Sequence, residues 1–377
     1  MTVDLDRLRL VRAEGVGPVT YRRLMTRFET AMEAIDALPE LARAGGRANA
    51  PKIPTQAEAE TEARQLAKLG GRFVFLGEPK YPPYLAQLAD APPVLSVLGD
   101  VALLSAPGVG VVGARNASAN GMRLAEALGA ELAVRLSVVS GLARGIDAAA
   151  HTGALRTGRT IAVIAGGLDM PYPPENARLQ QEIARHGAVV AEAPLGTAPQ
   201  GRHFPRRNRI IAGLVLGLVV VEAAVRSGSL LTARLAIEAG RELFATPGSP
   251  LDPRSTGGND LIRQGAHLTE SAQDVFANLP DHPARQGLGR DPMFQHGSPG
   301  FGETPAPWAR PDADAALLAR ARTEVPLLIG ADPVGVDEIA RRCQLSTAAI
   351  GAVLLELELA GRVESLAGNR VVRHADP

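Results

Sequence analysis

A short apolar run that ends in a small-residue polar loop and then a helix, twice in succession, constrains this chain more than any other feature. Val109-Gly110-Val111-Val112 reads as a buried strand. It passes into the loop 113–120 (GARNASAN) and then into a helical pattern from Met122 to Leu136. A second unit follows at once: a strand at Ser137-Val138-Val139, the loop 140–145 (SGLARG), and a helix reaching Gly158 with Asp147 as its expected N-cap. Strand, loop, helix, strand is the βαβ grammar of a doubly wound sheet. The ligand crevice of such a sheet lies beyond the carboxyl ends of the strands, where helix N-termini and backbone N–H groups favour anions. The glycines serve tight turns in any reading. Arg115, Asn116 and Ser118 in the first loop, with Gly141 and Arg144 in the second, point to phosphate contact.

Further strands are expected at 73–76, 94–98, 161–165, 188–191, 215–221 and 243–245, so several loops converge on one edge of one sheet. The segment Leu5 to Leu69 is helical, and within it Glu14-Gly15-Val16-Gly17-Pro18 resembles the hairpin of a helix-hairpin-helix or SAM-like module. Such glycines let a DNA backbone approach, with Arg22 and Arg23 adding charge; a plain turn between packed helices is the preferred reading. From Leu279 to Pro311 the chain is rich in Pro, Gly, His and Arg without periodicity, and reads as a flexible linker. Beyond it, residues 335–360 read as a helix-turn-helix, and residues 362–373 as a β-hairpin wing. The second helix carries Glu356 and Glu358 with only a terminal arginine. That charge opposes a duplex, so a protein-contact or regulatory role is expected. The expected organisation is a helical module at 1–70, the sheet domain at 71–280, a linker at 281–311 and a winged helix at 312–377.

Forty basic residues balance forty acidic ones, so any anion site must be a local concentration of charge. The clearest concentration is Arg202-His203-Phe204-Pro205-Arg206-Arg207-Asn208-Arg209, between a strand end at Glu192 and the helical Ile210-Ile211-Ala212. Guanidinium groups follow the phosphates of a single strand while a ring such as Phe204 stacks on a base. A solvated loop with Phe204 in the core is the plainer alternative. Ser227 and Ser229, after Arg226, add donors at the same edge. The carboxylates Asp147, Asp169, Glu192, Glu222 and Glu238 also sit near it, without nucleophile-and-base spacing, so no catalytic residue is assigned. His151 reads as a packed histidine. The lone Cys343 excludes an internal disulfide and a Cys-based metal centre, and the seven histidines form no ligand spacing. Neither G-x-G-x-x-G nor the P-loop stands where a strand meets a helix, which disfavours hydride transfer and NTP hydrolysis. No cofactor is expected. With no apolar signal region and no clean membrane-length stretch, a cytoplasmic location is expected.

These residues carry a resemblance. VVGARNASANG, SGLARGIDAAAHTGAL, AVIAGGLDMPYPPENARL, HFPRRNRIIAGL, VVEAAVRSGSLLTARLAIEAGRELFATPG and GGNDLIRQGA resemble, in order, the bacterial DNA-processing protein family DprA, also called Smf. The resemblance implies an α/β, extended Rossmann-like fold with a doubly wound, mostly parallel sheet. It also implies an N-terminal SAM-like module and a C-terminal winged-helix domain. It implies a non-enzymatic role in natural transformation: binding and protecting incoming single-stranded DNA, loading the RecA recombinase, and assembling as a homodimer. The family's DNA pocket maps onto Arg115, Phe204, Asn208 and Arg209. Many members carry a Lys where this chain has Gly201, and Arg202 beside it is the expected replacement. A runner-up resemblance is to the lysine-decarboxylase-like nucleotide phosphoribohydrolases, whose glycine loop is echoed by residues 226–232 and Glu238. This chain lacks the paired glycines of that loop.

Overall fold

The computed structural model describes residues 3–280, 315–366 and 369–374. The expected linker at 281–311 and two residues of the wing turn lie outside them. The described chain forms two compact units, one of residues 60–280 and one that joins residues 3–59 to those from 315 onward.

The chain enters through α1 (Leu5–Arg12), α2 (Pro18–Arg27), α3 (Ala31–Ala44) and α4 (Gln56–Lys68). The boundary between the units falls within α4, short of the expected residue 70, because Leu66 packs with Ala162, Ile164 and Ile183 of the sheet unit. That unit continues with β1 (Arg72–Phe75), α5 (Pro83–Ala86), β2 (Val94–Gly99), β3 (Gly108–Gly113), α6 (Ala119–Ala133) and β4 (Ser137–Ser140). There follow α7 (Ile146–Thr157), β5 (Thr160–Ile164), α8 (Ala177–His186), β6 (Ala188–Ala191), α9 (His203–Leu214) and β7 (Gly217–Val221). It closes with α10 (Gly228–Glu238), β8 (Glu242–Ala245), α11 (Thr256–Arg263), β9 (His267–Leu268) and α12 (Ala272–Asn278).

These strands make a nine-stranded sheet in the order β1-β2-β6-β5-β4-β3-β7-β8-β9. Only the β1–β2 and β2–β6 pairs are antiparallel. From β3 the connections run outward through β4, β5 and β6, then return through α9 to place β7 on the other side of β3. The strand order therefore reverses between β3 and β7, and the crevice of a doubly wound sheet opens at such a point. Alternation along β3 covers both faces, as a period of two requires. Val109 and Val111 pack with Leu128, Leu132 and Ile146, whereas Val112 packs with Ile210 and Ile211 of α9.

Two local expectations change. Asp147 lies inside the first turn of α7, whose N-cap is Gly145, and its carboxylate turns back to accept from the N–H groups of Gly141 and Ala143 at 3.1 and 3.3 Å. The basic cluster at 202–209 is the beginning of α9 itself, with Pro205 tolerated close to the helix start.

The second unit pairs α1–α3 with α13 (Ala315–Glu324), β10 (Val334–Gly335), α14 (Val336–Cys343), α15 (Thr347–Leu359), β11 (Val363–Leu366) and β12 (Arg370–Arg373). The winged helix has its own core around Ile339, Ile350, Val353 and Leu357, with a three-stranded wing in the order β10-β12-β11. Leu355 and Leu359 on α15 belong instead to the core of α1–α3, with Leu10, Leu24 and Leu38. The helical module and the winged helix, read separately from the sequence, are thus one packed body. A helix that is apolar on every side must be covered on every side.

Candidate nucleic-acid interface

Three chain segments meet where the strand order reverses: the loop after β3, the loop after β4 and the first turns of α9. They enclose a cleft of two compartments, about 230 and about 590 Å³, whose shared wall is Arg115, Asn116, Ala143, Phe204 and Arg207. Helical spacing explains what α9 contributes. Phe204, Arg207 and Asn208 stand three and four positions apart and so share one face, the face that lines the cleft.

Arg207 is the centre of the site. It is 7% exposed. Its Nε is buried with no hydrogen-bond partner among the described residues, while the residue lines both compartments. Burial draws its pKa down to about 10, opposed by the nearby Asp147 carboxylate and reinforced by the like charge of Arg115, so it stays cationic at neutral pH. Asp147 is shifted the other way: burial raises its pKa, against the pull of Arg207. Gly141 leaves room for this guanidinium: a Cβ there would stand 1.6 Å from Nη1 of Arg207 and would push the Arg207 side chain aside. His151 lies deeper. Its Nδ1 is 2.7 Å from Oγ1 of Thr160, and burial, with the charge of Arg207, draws its pKa down to about 3.

The smaller compartment has aromatic walls. The Arg115 guanidinium lies over the Phe204 ring at 5.1 Å, and Tyr172 meets the same ring at 5.6 Å with half its surface in solvent. Met170, Pro199 and Gly166 complete the wall. Asn176 shapes the rim by donating to the carbonyls of Leu142 and Ala143 at 2.9 and 3.2 Å. Arg144 reaches this rim and forms an ion pair with Glu175. The larger compartment ends at the N-terminus of α10. There Ser227 caps the helix by accepting from the N–H of Ser229, Ser229 is buried, and Arg226 and Arg254 add charge.

The structure thus brings nine of the expected residues to one cleft: Arg115, Asn116, Gly141, Arg144, Phe204, Arg207, Asn208, Ser227 and Ser229. Four stand elsewhere. Ser118 caps α6, and its N–H and hydroxyl both donate to Glu222, the N–H at 2.8 Å. Arg209 faces the opposite way, donating to both carboxylate oxygens of Glu192 at 2.6 and 2.7 Å and to the Asp90 carbonyl. Arg202 and Arg206 are exposed and line neither compartment. Tyr172, Met170 and Pro199 are cleft residues that sequence reasoning missed. The only signal for Met170 and Tyr172 was the aromatic and proline content of the 170–174 turn, and Pro199 had none. Among the described residues no group of three or more His, Cys, Asp or Glu side chains is arranged to hold a metal ion, and no helix is long and apolar enough to cross a membrane.

Comparison with known proteins places this geometry in a family. The family model for DNA recombination-mediator protein A matches residues 72–280, that for the DprA-like N-terminal helix-hairpin-helix domain 2–64, and that for the DprA winged helix domain 309–369. The DNA processing protein DprA of Bacillus subtilis is 43% identical over 61% of this chain and 77% of its own length. Protein Smf of Synechocystis is 33% identical over 96% of both chains. Among solved structures, DNA processing protein A of Streptococcus pneumoniae superposes with a TM-score of 0.63 at 38% identity, covering 75% of this chain and all of that one. DNA processing protein A of Helicobacter pylori, studied for its own single-stranded DNA binding mode, gives a TM-score of 0.50 at 31% identity over 55% of this chain and 94% of that one. On sequence, fold and domain order alike, the chain belongs to the DprA/Smf family of DNA recombination mediators.

Proposed function

We propose that this chain binds single-stranded DNA in the two-compartment cleft and acts as a non-enzymatic recombination mediator. It protects incoming strands and passes them to a RecA-type recombinase, in the cytoplasm and as a homodimer. The observation that carries this reading is Arg207, a buried cation without a hydrogen-bond partner in a cavity wall. A phosphate in the cleft offers this guanidinium an acceptor and adds to the counter-charge that Asp147 alone supplies. Arg115, Asn208 and the N-terminus of α10 extend the anion site to either side, and Phe204 and Tyr172 offer ring faces for an unpaired base. A base stacking on the Phe204 face now covered by the Arg115 guanidinium must displace that group. The single-stranded DNA binding mode described for the Helicobacter pylori protein supports the same ligand class.

A non-enzymatic role has support in the carboxylates. Asp147 accepts two backbone N–H groups, and Glu222 accepts the Ser118 N–H and hydroxyl, so neither is left as a free base at the cleft. The test compares binding of a single-stranded oligonucleotide and its duplex by the full chain and by Arg207→Ala. Preference for the single strand, lost in the variant with its fold retained, is the expected result. Equal affinity for both DNA forms, or an unaffected variant, rejects the cleft.

A further inference from the structure

The second unit brings together two motifs that are commonly associated with DNA, and it turns them toward each other. The hairpin between α1 and α2 rests against the end of α15: a Cβ on Gly15 would lie 3.4 Å from the Leu359 carbonyl oxygen. Gly45, which ends α3, lies closer still, and a Cβ there would stand 1.9 Å from the Glu356 carbonyl oxygen, closer than any side chain could come. Arg23 of α2 donates to Glu358 of α15 and to Ser365 of the wing, each at 3.2 Å. Arg47 donates to the Leu359 carbonyl at 3.4 Å, and Arg362 returns a hydrogen bond to the Gly45 carbonyl at 3.5 Å. Beneath these polar groups Leu355 and Leu359 are enclosed by the core of α1–α3.

A winged helix that reads DNA presents its second helix to the major groove, with basic groups toward the phosphates. Here the second helix has one apolar face toward its own winged-helix core and another toward α1–α3. Its two acidic groups are answered within the unit, Glu358 by Arg23 and Glu356 by Arg322. We infer that the winged helix of this chain is a protein-docking module whose partner is the helix-hairpin-helix of the same chain. Its second helix serves as the seat for that module and does not read a groove. Glu358, one of the two acidic groups that make α15 ill suited to a polyanion, matches Arg23 of the module it holds. Arg23, which would follow a DNA backbone in a free hairpin, is engaged as part of the seam. The chain's two ends therefore form one body, with the hairpin's first glycine turned inward.

The experiment uses the full chain and amide hydrogen exchange, followed in α1–α3 and in α13–α15. Leu359→Ala should accelerate exchange in both segments together, by about 30-fold or more, as expected for a large-to-small core change. Arg23→Glu, which sets a like charge against Glu358, should accelerate both segments by a smaller factor. The double variant Arg23→Glu with Glu358→Arg should recover most of that protection. A fourth variant, Thr347→Glu, adds negative charge at the exposed start of α15, where a groove-reading helix would meet DNA, and should leave duplex and single-strand affinity unchanged. Faster exchange in α1–α3 while α15 keeps its protection would overturn the inference. So would a charge swap that recovers nothing, or a clear loss of duplex affinity in Thr347→Glu.

Discussion

Two buried charges, one in each unit, meet opposite fates. Arg207 in the cleft is 7% exposed and makes no hydrogen bond to the described residues, whereas Glu356 on α15 is 2% exposed and accepts from Arg322 through both oxygens at 2.9 and 2.7 Å. Arg209 repeats the contrast within a single helix. It stands two residues from Arg207, is equally buried, and is held by Glu192 on both oxygens. Removing a charge from water is costly, and its pairing decides what that cost serves. A paired buried charge is part of the fold. A guanidinium that lines a cavity without a hydrogen bond keeps its hydrogen-bonding capacity for something that arrives from solution.

The largest effect that separates the two cases should appear in the second unit. Arg322→Ala takes the bidentate partner from the buried Glu356 carboxylate and should destabilise that unit by about 1.5–3 kcal/mol, the range for hydrogen bonds to a charged group, because Arg322 is itself half-exposed and water takes part of its place. Chemical denaturation measures it, and affinity for single-stranded DNA should stay unchanged. Loss of binding in this variant would erase the contrast between the units.

Acid should find the charge of Arg207 through its neighbour. His151 titrates near 3 in the folded chain against 6.5 as a free side chain, so below about pH 6.5 the unfolded chain takes up a proton that the folded chain refuses. Stability attributable to His151 is therefore full above that pH and falls as pH drops toward 3. Between about pH 6.5 and pH 4.5 the loss should reach roughly 2–3 kcal/mol. Melts across this range should show His151→Gln with a flatter profile. In Arg207→Met the fall should begin at the same pH but be smaller and level off at higher pH, because one of the causes depressing the histidine is gone and its folded-state pKa rises toward its ordinary value. A profile identical in all three chains would mean that another group governs acid sensitivity.

For the site itself, Arg207→Ala should weaken single-strand binding by about 1.5–3 kcal/mol, the range of a hydrogen bond to a charged group, with little loss of fold stability. Arg209→Ala should do the reverse, lowering the melting temperature first. If both arginines behave alike, orientation on α9 does not separate fold from function.

The smallest and most diagnostic difference lies between Arg115 and Phe204. Each alanine variant should cost about 1–3 kcal/mol in binding, Arg115 through a phosphate and Phe204 through stacking. Only Arg115→Ala should make the dependence of log K on log salt shallower, by about 0.7 if one phosphate is no longer neutralised. An unchanged slope would move Arg115 from the phosphate to another role.

Much of the sheet unit was legible in the sequence, because its signals are local. The strand at 109–112, the loop after it and the helix that follows repeat a pattern that neighbouring residues impose on each other, and the structure returns them as β3 and α6 with ends shifted by a few residues. The converging loops were legible for the same reason. Asp147 was not: a carboxylate near a helix start suits both an N-cap and a residue inside the first turn, and only the path of the loop chooses. The packing of α15 was half legible. Its acidic charge pointed to a protein contact, but nothing in the segment named α1–α3, some three hundred residues away in the chain, as the cover.

By itself the sequence determined a doubly wound sheet with a basic, aromatic segment near its functional edge, and helical modules at both ends. Those features follow from periodicity, turn chemistry and local charge. Tertiary structure alone decided which of four clustered arginines faces the cleft and which is a strut. That choice depends on whether a carboxylate from a distant strand end, such as Glu192 beneath Arg209, lies within hydrogen-bond reach. It likewise sent Ser118 to Glu222 and brought Tyr172 to Phe204, pairings over distances in sequence that no local pattern encodes. Buried charges are settled pair by pair in space, after the backbone has already been laid down by rules that act along the chain.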